Sequence, residues 1–191
     1  MAWEAQISIS TVGHSTHSIE DFLGILHGHG IRQLVDVRTV PRSRRNPQFN
    51  KENLPASLKA AGIRYAHMPG LGGLRHAKRD STNTGWRNAS FRGYADYMQT
   101  PEFGANLEKL IELAGQAPTA IMCAEAVPWR CHRSLIADAL VARGIPAMEI
   151  LSAKQSSPHM LTSFAQVKGT AVTYPAVAAE ESGNQHFPIE R

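Results

Sequence analysis

Sulfur is scarce in this 191-residue chain, which has only two cysteines, Cys123 and Cys131. Two cysteines exclude the disulfide framework that staples small secreted domains. Long apolar runs are missing too, and no window reaches the ~18 residues of a membrane span. The opening Met1-Ala2-Trp3-Glu4 has no basic stretch leading into an apolar one, so no secretory signal is expected. Internal repeats and low-complexity tracts are absent, which excludes a repeat architecture. The 42% hydrophobic content, in turn, excludes a disordered chain. A chain this long buries roughly 70% of its unfolded surface, so it folds without disulfide or metal. The expectation is a cytoplasmic globular protein with reduced thiols and no membrane partner.

Acidic residues are rare in one stretch. Residues 38–92 hold twelve Lys or Arg against only Glu52 and Asp80, a net of +10, so the rest carries −6 of the overall +4. Most of that charge is arginine, whose planar fork suits phosphate and carboxylate. A field of this sign draws anionic ligands, nucleic acid among them. A solvated basic loop region is the plainer reading.

Alternation and short apolar runs predict strands at 6–12, 33–37, 63–67, 119–123 and 146–151. Helices are expected at 19–26 behind a Ser18 cap, at 50–61 before Gly62, at 91–98, at 102–114 after Pro101, and at 131–143 before Gly144. Residues 68–90 show no period and read as a long functional or disordered loop. Strands alternating with helices argue for an α/β fold, a three-layer sandwich around a mostly parallel sheet of about five strands. One such domain is expected over residues 1–175, with a flexible tail at 176–191. Ligands of such sheets bind beyond the carboxyl ends of the strands. That rule gathers His14 and Ser15, Asp36 and Arg38, His67, and Cys123 and Glu125 at successive strand ends.

The richest segment is Cys123-Ala124-Glu125-Ala126-Val127-Pro128-Trp129-Arg130-Cys131-His132-Arg133, running from a strand end onto a helix start. A cysteine at a helix start beside Arg and a protonated His loses its proton readily. Helix-start amides also bind anions. Cysteine phosphatases and rhodanese-type sulfur carriers share this topology. The phosphatase loop, however, needs five residues between Cys and Arg, and six separate Cys123 from Arg130. Zinc is a second reading, with both cysteines and His132, His14 or His67 as ligands. The Cys123–Cys131 spacing and the Cys131-His132 adjacency speak against it, and no metal ligand is assigned. A free cysteine buried at a strand end is the third reading.

Gly13-His14-Ser15 offers an acid/base group or phosphate ligand at a tight turn, or only a turn with a helix cap. Asp36 with Arg38, Arg42 and Arg44 suits a phosphate or ribose; the alternative is an internal Asp–Arg pair. Gly72 and Gly73 let backbone approach a ligand, or merely turn. Phe91-Arg92-Gly93-Tyr94 interleaves aromatics with a base, as base stacking requires, although Tyr94 at helical spacing also suits the core. Glu125 can move a proton without a metal or second carboxylate, or can pair with an arginine or helix end.

Together these segments resemble the bacterial and archaeal family known as domain of unknown function 488. Its pattern has a Gly-His-Ser turn (residues 13–15), an Asp-Val-Arg strand end (36–38), Pro-x-Ser-Arg (41–44) and Gly-Ile-x-Tyr (62–65). It continues with Leu-Gly-Gly (71–73), the run 91–98, Cys-x-Glu-x-x-Pro-x-x-Cys-His-Arg (123–133) and a later His, here His159. The likeness runs from about residue 7 to residue 175, with the motifs in order. It implies a three-layer α/β fold and brings no reaction with it.

The function expected is an enzyme acting on a phosphate-bearing or otherwise anionic substrate, a nucleotide or nucleic acid. Catalytic roles fall to Cys123, His14, Glu125 and His132. Substrate binding falls to Ser15, Asp36, Arg38, Arg42, Arg44, Gly72, Gly73, Tyr94, Cys131 and Arg133. The alternatives are a nucleic-acid-binding module without chemistry, or a metal-binding protein built on Cys123, Cys131 and histidine. No cofactor and no oligomeric state are assigned.

Overall fold

The computed structural model describes residues 7–176. Six strands form one sheet: β1 (Ile9–Gly13), β2 (Gln33–Asp36), β3 (Arg64–His67), β4 (Thr119–Cys123), β5 (Ala147–Ser152) and β6 (Gln155–Pro158). Their order is β3-β2-β4-β1-β5-β6. The first five run parallel, and β6 returns antiparallel along β5. Five helices join them: α1 (Ile19–Gly28), α2 (Leu54–Ala60), α3 (Ala89–Tyr97), α4 (Pro101–Ala114) and α5 (Arg133–Val141). The architecture is the expected three-layer α/β sandwich.

Alternation along the strands builds both halves of the core. Leu34 of β2 and Ala120 and Met122 of β4 pack with Phe22 and Leu26 of α1 and Leu54 and Leu58 of α2. Their neighbours Val35 and Ile121 join the other half, with Tyr94 of α3, Phe103 and Leu107 of α4 and Leu135 of α5. With both faces covered, β2 and β4 are buried along nearly their whole length, as parallel strands are.

Topology and register position the site. From β1 the chain travels toward the β2–β3 side of the sheet, and from β4 it travels toward β5. The loops leaving these adjacent strands therefore diverge and open a crevice at the carboxyl edge. Gly13 lies opposite Cys123, and Asp36 lies opposite both Met122 and His67, so the reactive positions share one level.

The five expected strands are all present, and β6 adds a sixth at the edge. Gln155–Pro158 is polar and mostly exposed, so it carries no apolar signal, and proline is tolerated at a sheet edge. A separate hairpin, β7 (Gln166–Lys168) with β8 (Ala171–Thr173), turns through Gly169 at φ +61°. Helix α2 starts at Leu54, because the amides of Asn53 and Leu54 both donate to the Asn50 carbonyl and close a turn first. Helix α5 starts at Arg133, because Pro128–Arg130 forms a 3-10 turn and leaves Cys131 extended (φ −129°, ψ 145°). Within the aperiodic stretch 68–90, the Asp96 carboxylate accepts from Lys78 N, Ser81 Oγ and Asn83 Nδ2 and anchors the middle. The tail expected from residue 176 lies, Ala176 apart, outside the described residues. No helix among the described residues is long and apolar enough to cross a membrane.

Candidate active site

The site begins where two loops touch. A Cβ at Gly13 would sit 2.0 Å from the Glu125 carbonyl oxygen, so only glycine lets the β1 and β4 loops meet there. Beyond it the pairing continues: His14 N–H donates to the Cys123 carbonyl (3.0 Å) and Ser15 N–H to that of Ala124 (2.9 Å). Ser15 is the one non-glycine residue with positive φ (+46°) among the described residues, and strain of this kind collects at functional sites. The loops border a cavity of about 710 Å³, with His14, Arg38, Cys123, Glu125, Cys131 and His132 on its wall.

Arg38 organises one side. It donates through Nε to Asp36 Oδ1 (2.8 Å) and through Nη2 to Asp36 Oδ2 (2.6 Å) and the Phe49 carbonyl (2.7 Å). Tyr65 Oη donates to the same Asp36 Oδ2 (2.9 Å). A buried ion pair is stable only when its remaining valences are satisfied in this way. Burial first, and then the Asp36 charge, push the Tyr65 hydroxyl up. Arg38 Nη1 lies 3.1 Å from His14 Nε2. Arginine can only donate, so Nε2 accepts and Nδ1 carries the proton it gives to the Ser15 carbonyl (2.9 Å). Burial, and then the Arg38 charge, lower the His14 imidazole to about 4. His14 is therefore neutral at pH 7, stacked 4.2 Å from the Phe49 ring. Four of the five Arg38 N–H groups are engaged within the protein.

The sulfurs form the other side. Cys123 Sγ, Cys131 Sγ and a His132 ring nitrogen all lie within 4.8 Å of one another. His132 Nε2–H donates to the Val37 carbonyl (3.2 Å). That leaves the Nδ1 lone pair facing Cys131 Sγ at 3.7 Å and Cys123 Sγ at 4.0 Å. The adjacency of Cys131 and His132, which the sequence reading counted against a shared centre, is no obstacle. An extended Cys131 followed by a helical His132 (φ −57°, ψ −14°) turns both side chains to one place. Gly73 leaves the imidazole its room, since a Cβ there would lie 2.6 Å from His132 Nδ1.

Arg133 decides which sulfur is charged. It is 1% exposed, and no carboxylate among the described residues forms an ion pair with it. Its Nη2 donates to the Glu125 carbonyl (2.6 Å) and its Nε to Cys131 Sγ (3.4 Å). A buried guanidinium requires an anionic partner, and of these two only the sulfur can be one. The neighbouring Cys123 thiol and the Arg133 charge hold Cys131 well below the ordinary thiol range against the effect of burial. Proximity to the Cys131 sulfur, together with burial, pushes Cys123 up. Arg133 thus favours the thiolate at Cys131, whereas the sequence expectation places the activated thiol at Cys123.

A sequence profile of one family matches residues 18–140, well over half of the chain. The chain belongs to that family, Domain of unknown function DUF488. The matched span holds the Asp36–Arg38 and Cys123–Arg133 motifs, and leaves Gly13–Ser15 and His159 outside it. No curated protein and no solved structure matches the chain.

In this DUF488 protein the four residues expected to be catalytic, Cys123, His14, Glu125 and His132, all line the cavity. Of those expected to bind substrate, Ser15, Arg38, Arg42, Gly73 and Cys131 also line it. Asp36, Tyr94 and Arg133 do not; they are buried and act behind the wall. Asp36 holds Arg38, Arg133 holds the Cys131 sulfur, and Tyr94 packs its ring 5.1 Å from that of His132 while its hydroxyl donates to the Leu71 carbonyl. Gly72 is off the wall and serves close packing, since a Cβ there would meet Thr39 Oγ1 at 2.2 Å. Arg44 is exposed and away from the cavity. His67, an alternative metal ligand in the sequence reading, instead donates to the Arg38 carbonyl (2.9 Å). Glu125 Oε1 accepts from Val127 N–H (3.2 Å) and shapes its own loop.

Arg130, weighed from sequence only as a phosphatase-loop arginine, and Asn46, which was not considered, are both on the wall. Arg130 was signalled by its place between Cys123 and Cys131, whereas Asn46 gave no signal. The basic segment also changes meaning. Arg75 donates to the carbonyls of Gly72 and Gly70 and lies over the Tyr97 ring at 3.6 Å, and Arg92 donates twice to the Trp86 carbonyl. With Arg38, these guanidinium groups hold loops in place, while Arg42, Arg44, Arg45, Arg64, Arg79 and Arg87 of the same segment are exposed.

Proposed function

We propose that the cleft beyond β1, β2 and β4 is the active site of an enzyme acting on an anionic substrate, a nucleotide or another phosphate-bearing molecule. One observation carries this reading. A thiolate with a buried counter-ion, a second thiol and an imidazole with a free lone pair meet on the wall of a cavity that also holds the exposed Arg42 and Arg130. Titratable groups brought together in a cleft and driven apart in protonation mark catalytic sites. Arg42 and Arg130 receive the substrate's charge with their planar forks. Arg38, held by Asp36, offers a fixed positive charge that does not have to reorganise during reaction. The Cys123–Cys131–His132 trio is the reactive centre. His14 is a positioning residue, because its Nε2 lone pair is already taken by Arg38.

The test is calorimetric titration with inorganic phosphate, pyrophosphate and a nucleoside monophosphate. The wild type binds at least one of them, and the double variant Arg42→Ala/Arg130→Ala binds on the order of 10-fold more weakly with unchanged thermal stability. Wild-type protein indifferent to all three at millimolar concentration overturns the reading.

A further inference from the structure

The reactive centre supports an inference that rests on the active-site reading and goes past it. We propose that Cys123 Sγ, Cys131 Sγ and His132 Nδ1 are three ligands of a Zn²⁺ ion whose fourth coordination position opens into the cleft. The distances carry it. Zn–S bonds of ~2.3 Å and Zn–N bonds of ~2.0 Å at tetrahedral angles set sulfur and nitrogen about 3.6 Å apart and two sulfurs about 3.8 Å apart. His132 Nδ1 lies 3.7 Å and 4.0 Å from the two sulfurs, and all three donor atoms fall within 4.8 Å of one another. The nitrogen–sulfur spacings need shifts of a few tenths of an ångström, and the sulfurs, within 4.8 Å of each other, need to close by at most about 1 Å to seat the ion.

The surroundings match a metal ligand set. A metal-binding histidine almost always donates its other N–H to a carbonyl or carboxylate, which fixes the ring and the tautomer. His132 Nε2–H does so to the Val37 carbonyl. Arg133 Nε donates to Cys131 Sγ, as thiolate ligands in metal centres accept N–H bonds. Two thiolates and one imidazole are soft to borderline donors, which select zinc over magnesium or calcium. Three protein ligands with a vacant fourth vertex define catalytic rather than structural zinc. All three donors line the cavity, so that vertex is reached from the substrate side. Other donors nearby are committed elsewhere: both His14 nitrogens and His67 Nε2 are hydrogen bonded, and Glu125 Oε1 binds its own loop.

Charge and protons balance. Binding releases whatever protons the two sulfurs carry, so both coordinate as thiolates. Zn²⁺ with two thiolates is neutral, so Arg133 leaves the centre at +1. That charge favours a water-derived hydroxide or an anionic substrate oxygen at the fourth position.

Elemental analysis and cobalt spectroscopy test the proposal on untagged full-length protein kept reduced. After loading with excess Zn²⁺ and desalting, about one Zn²⁺ per chain is expected, with affinity lowered on the order of 100-fold by Cys123→Ser or Cys131→Ser. Co²⁺ in place of Zn²⁺ gives a sulfur-to-cobalt charge-transfer band and the intense visible bands of a four-coordinate ion, and added phosphate shifts the visible bands. Should a serine variant fail to fold, the wild-type cobalt spectrum and its loss to a chelator decide alone. Zinc that desalts away from the wild type, with both thiols open to alkylation, overturns the proposal. Phosphate bound by such metal-free protein leaves the active-site reading standing without zinc. Zinc retained with no anion bound does the reverse.

Discussion

His14 and His159 are both buried imidazoles beside charged neighbours, yet they hold opposite protonation states. His14 receives an N–H from Arg38 and is neutral. His159 sits between two carboxylates, Nδ1 on Glu149 Oε1 (2.7 Å) and Nε2 on Asp138 Oδ1 (2.8 Å). Burial alone pulls the His159 imidazole down, but the bonds to Asp138 and Glu149, and their charges, raise it to about 9. Both nitrogens therefore donate. Asp138 accepts further bonds from Thr162 N, Thr162 Oγ1 and Tyr174 Oη (3.0, 2.7 and 2.8 Å). This cluster borders a recess of about 390 Å³, but its hydrogen-bonding capacity is used within the protein. It ties β5 and residues 159–174 to α5. The Cys123–Cys131–His132 group, by contrast, keeps lone pairs unshared on a cavity wall. A satisfied buried polar cluster fixes a fold, and one left short of partners at a cavity is equipped to bind.

Substitutions that break this contrast should differ in size and in kind. Arg133→Met has the largest effect, because it strands the Cys131 thiolate in the interior. A loss of about 3–5 kcal/mol in urea unfolding is expected. In metal-free protein the alkylation midpoint of the reactive thiol should rise toward that of a free cysteine, and an unmoved alkylation profile would show that Arg133 is not the counter-ion. Asp138→Asn should cost about 3 kcal/mol by leaving His159 half-paired, while anion binding in the cleft stays at the wild-type level. A drop in that binding would mean the two clusters are coupled.

The two histidines also predict opposite pH limbs. Native His159 keeps its proton between pH 6.5 and about 9, where the unfolded chain has lost it. Its contribution is complete below 6.5 and fades as pH rises through 9. Native His14 refuses a proton between pH 6.5 and about 4, where the unfolded chain takes one, so its contribution fades as pH falls. Each limb is worth on the order of 2–3 kcal/mol. Unfolding free energies measured from pH 4 to pH 9 should lose the alkaline limb in His159→Gln and the acid limb in His14→Gln, and loss of the same limb in both variants would refute the assignment. Smaller still is Gly73→Ala, whose Cβ meets His132 Nδ1; it should cost about 1–3 kcal/mol and disturb the thiol–imidazole geometry, seen as altered cobalt bands. Arg42→Ala should leave unfolding within about 0.5 kcal/mol of wild type and change only anion affinity.

Much of this molecule is legible in one dimension. Apolar runs such as Thr119–Cys123 announce buried parallel strands, Ser18 and Pro101 sit at helix starts, and the strand-end rule collects His14, Arg38, Cys123 and Glu125 before any coordinates. Those signals are local, because they arise from side-chain period and backbone preference. The polar edge strand β6 and the hairpin β7–β8 escape them, since their residues bury little and pair through backbone groups common to every sequence.

The roles within the cleft were not local. Asp36, Tyr94 and Arg133 read like ligand-binding residues but stand behind the wall, and the buried Arg133 guanidinium meets Cys131 rather than Cys123. Those outcomes depend on the carbonyls of Val37, Phe49 and Glu125 and on the Arg133 guanidinium, supplied by distant segments or by a helix start displaced by two residues. Protonation follows from which charges and dipoles lie within a few ångströms in a dry interior. Chain order names the groups that can react; only folding selects the neighbours that set their charge.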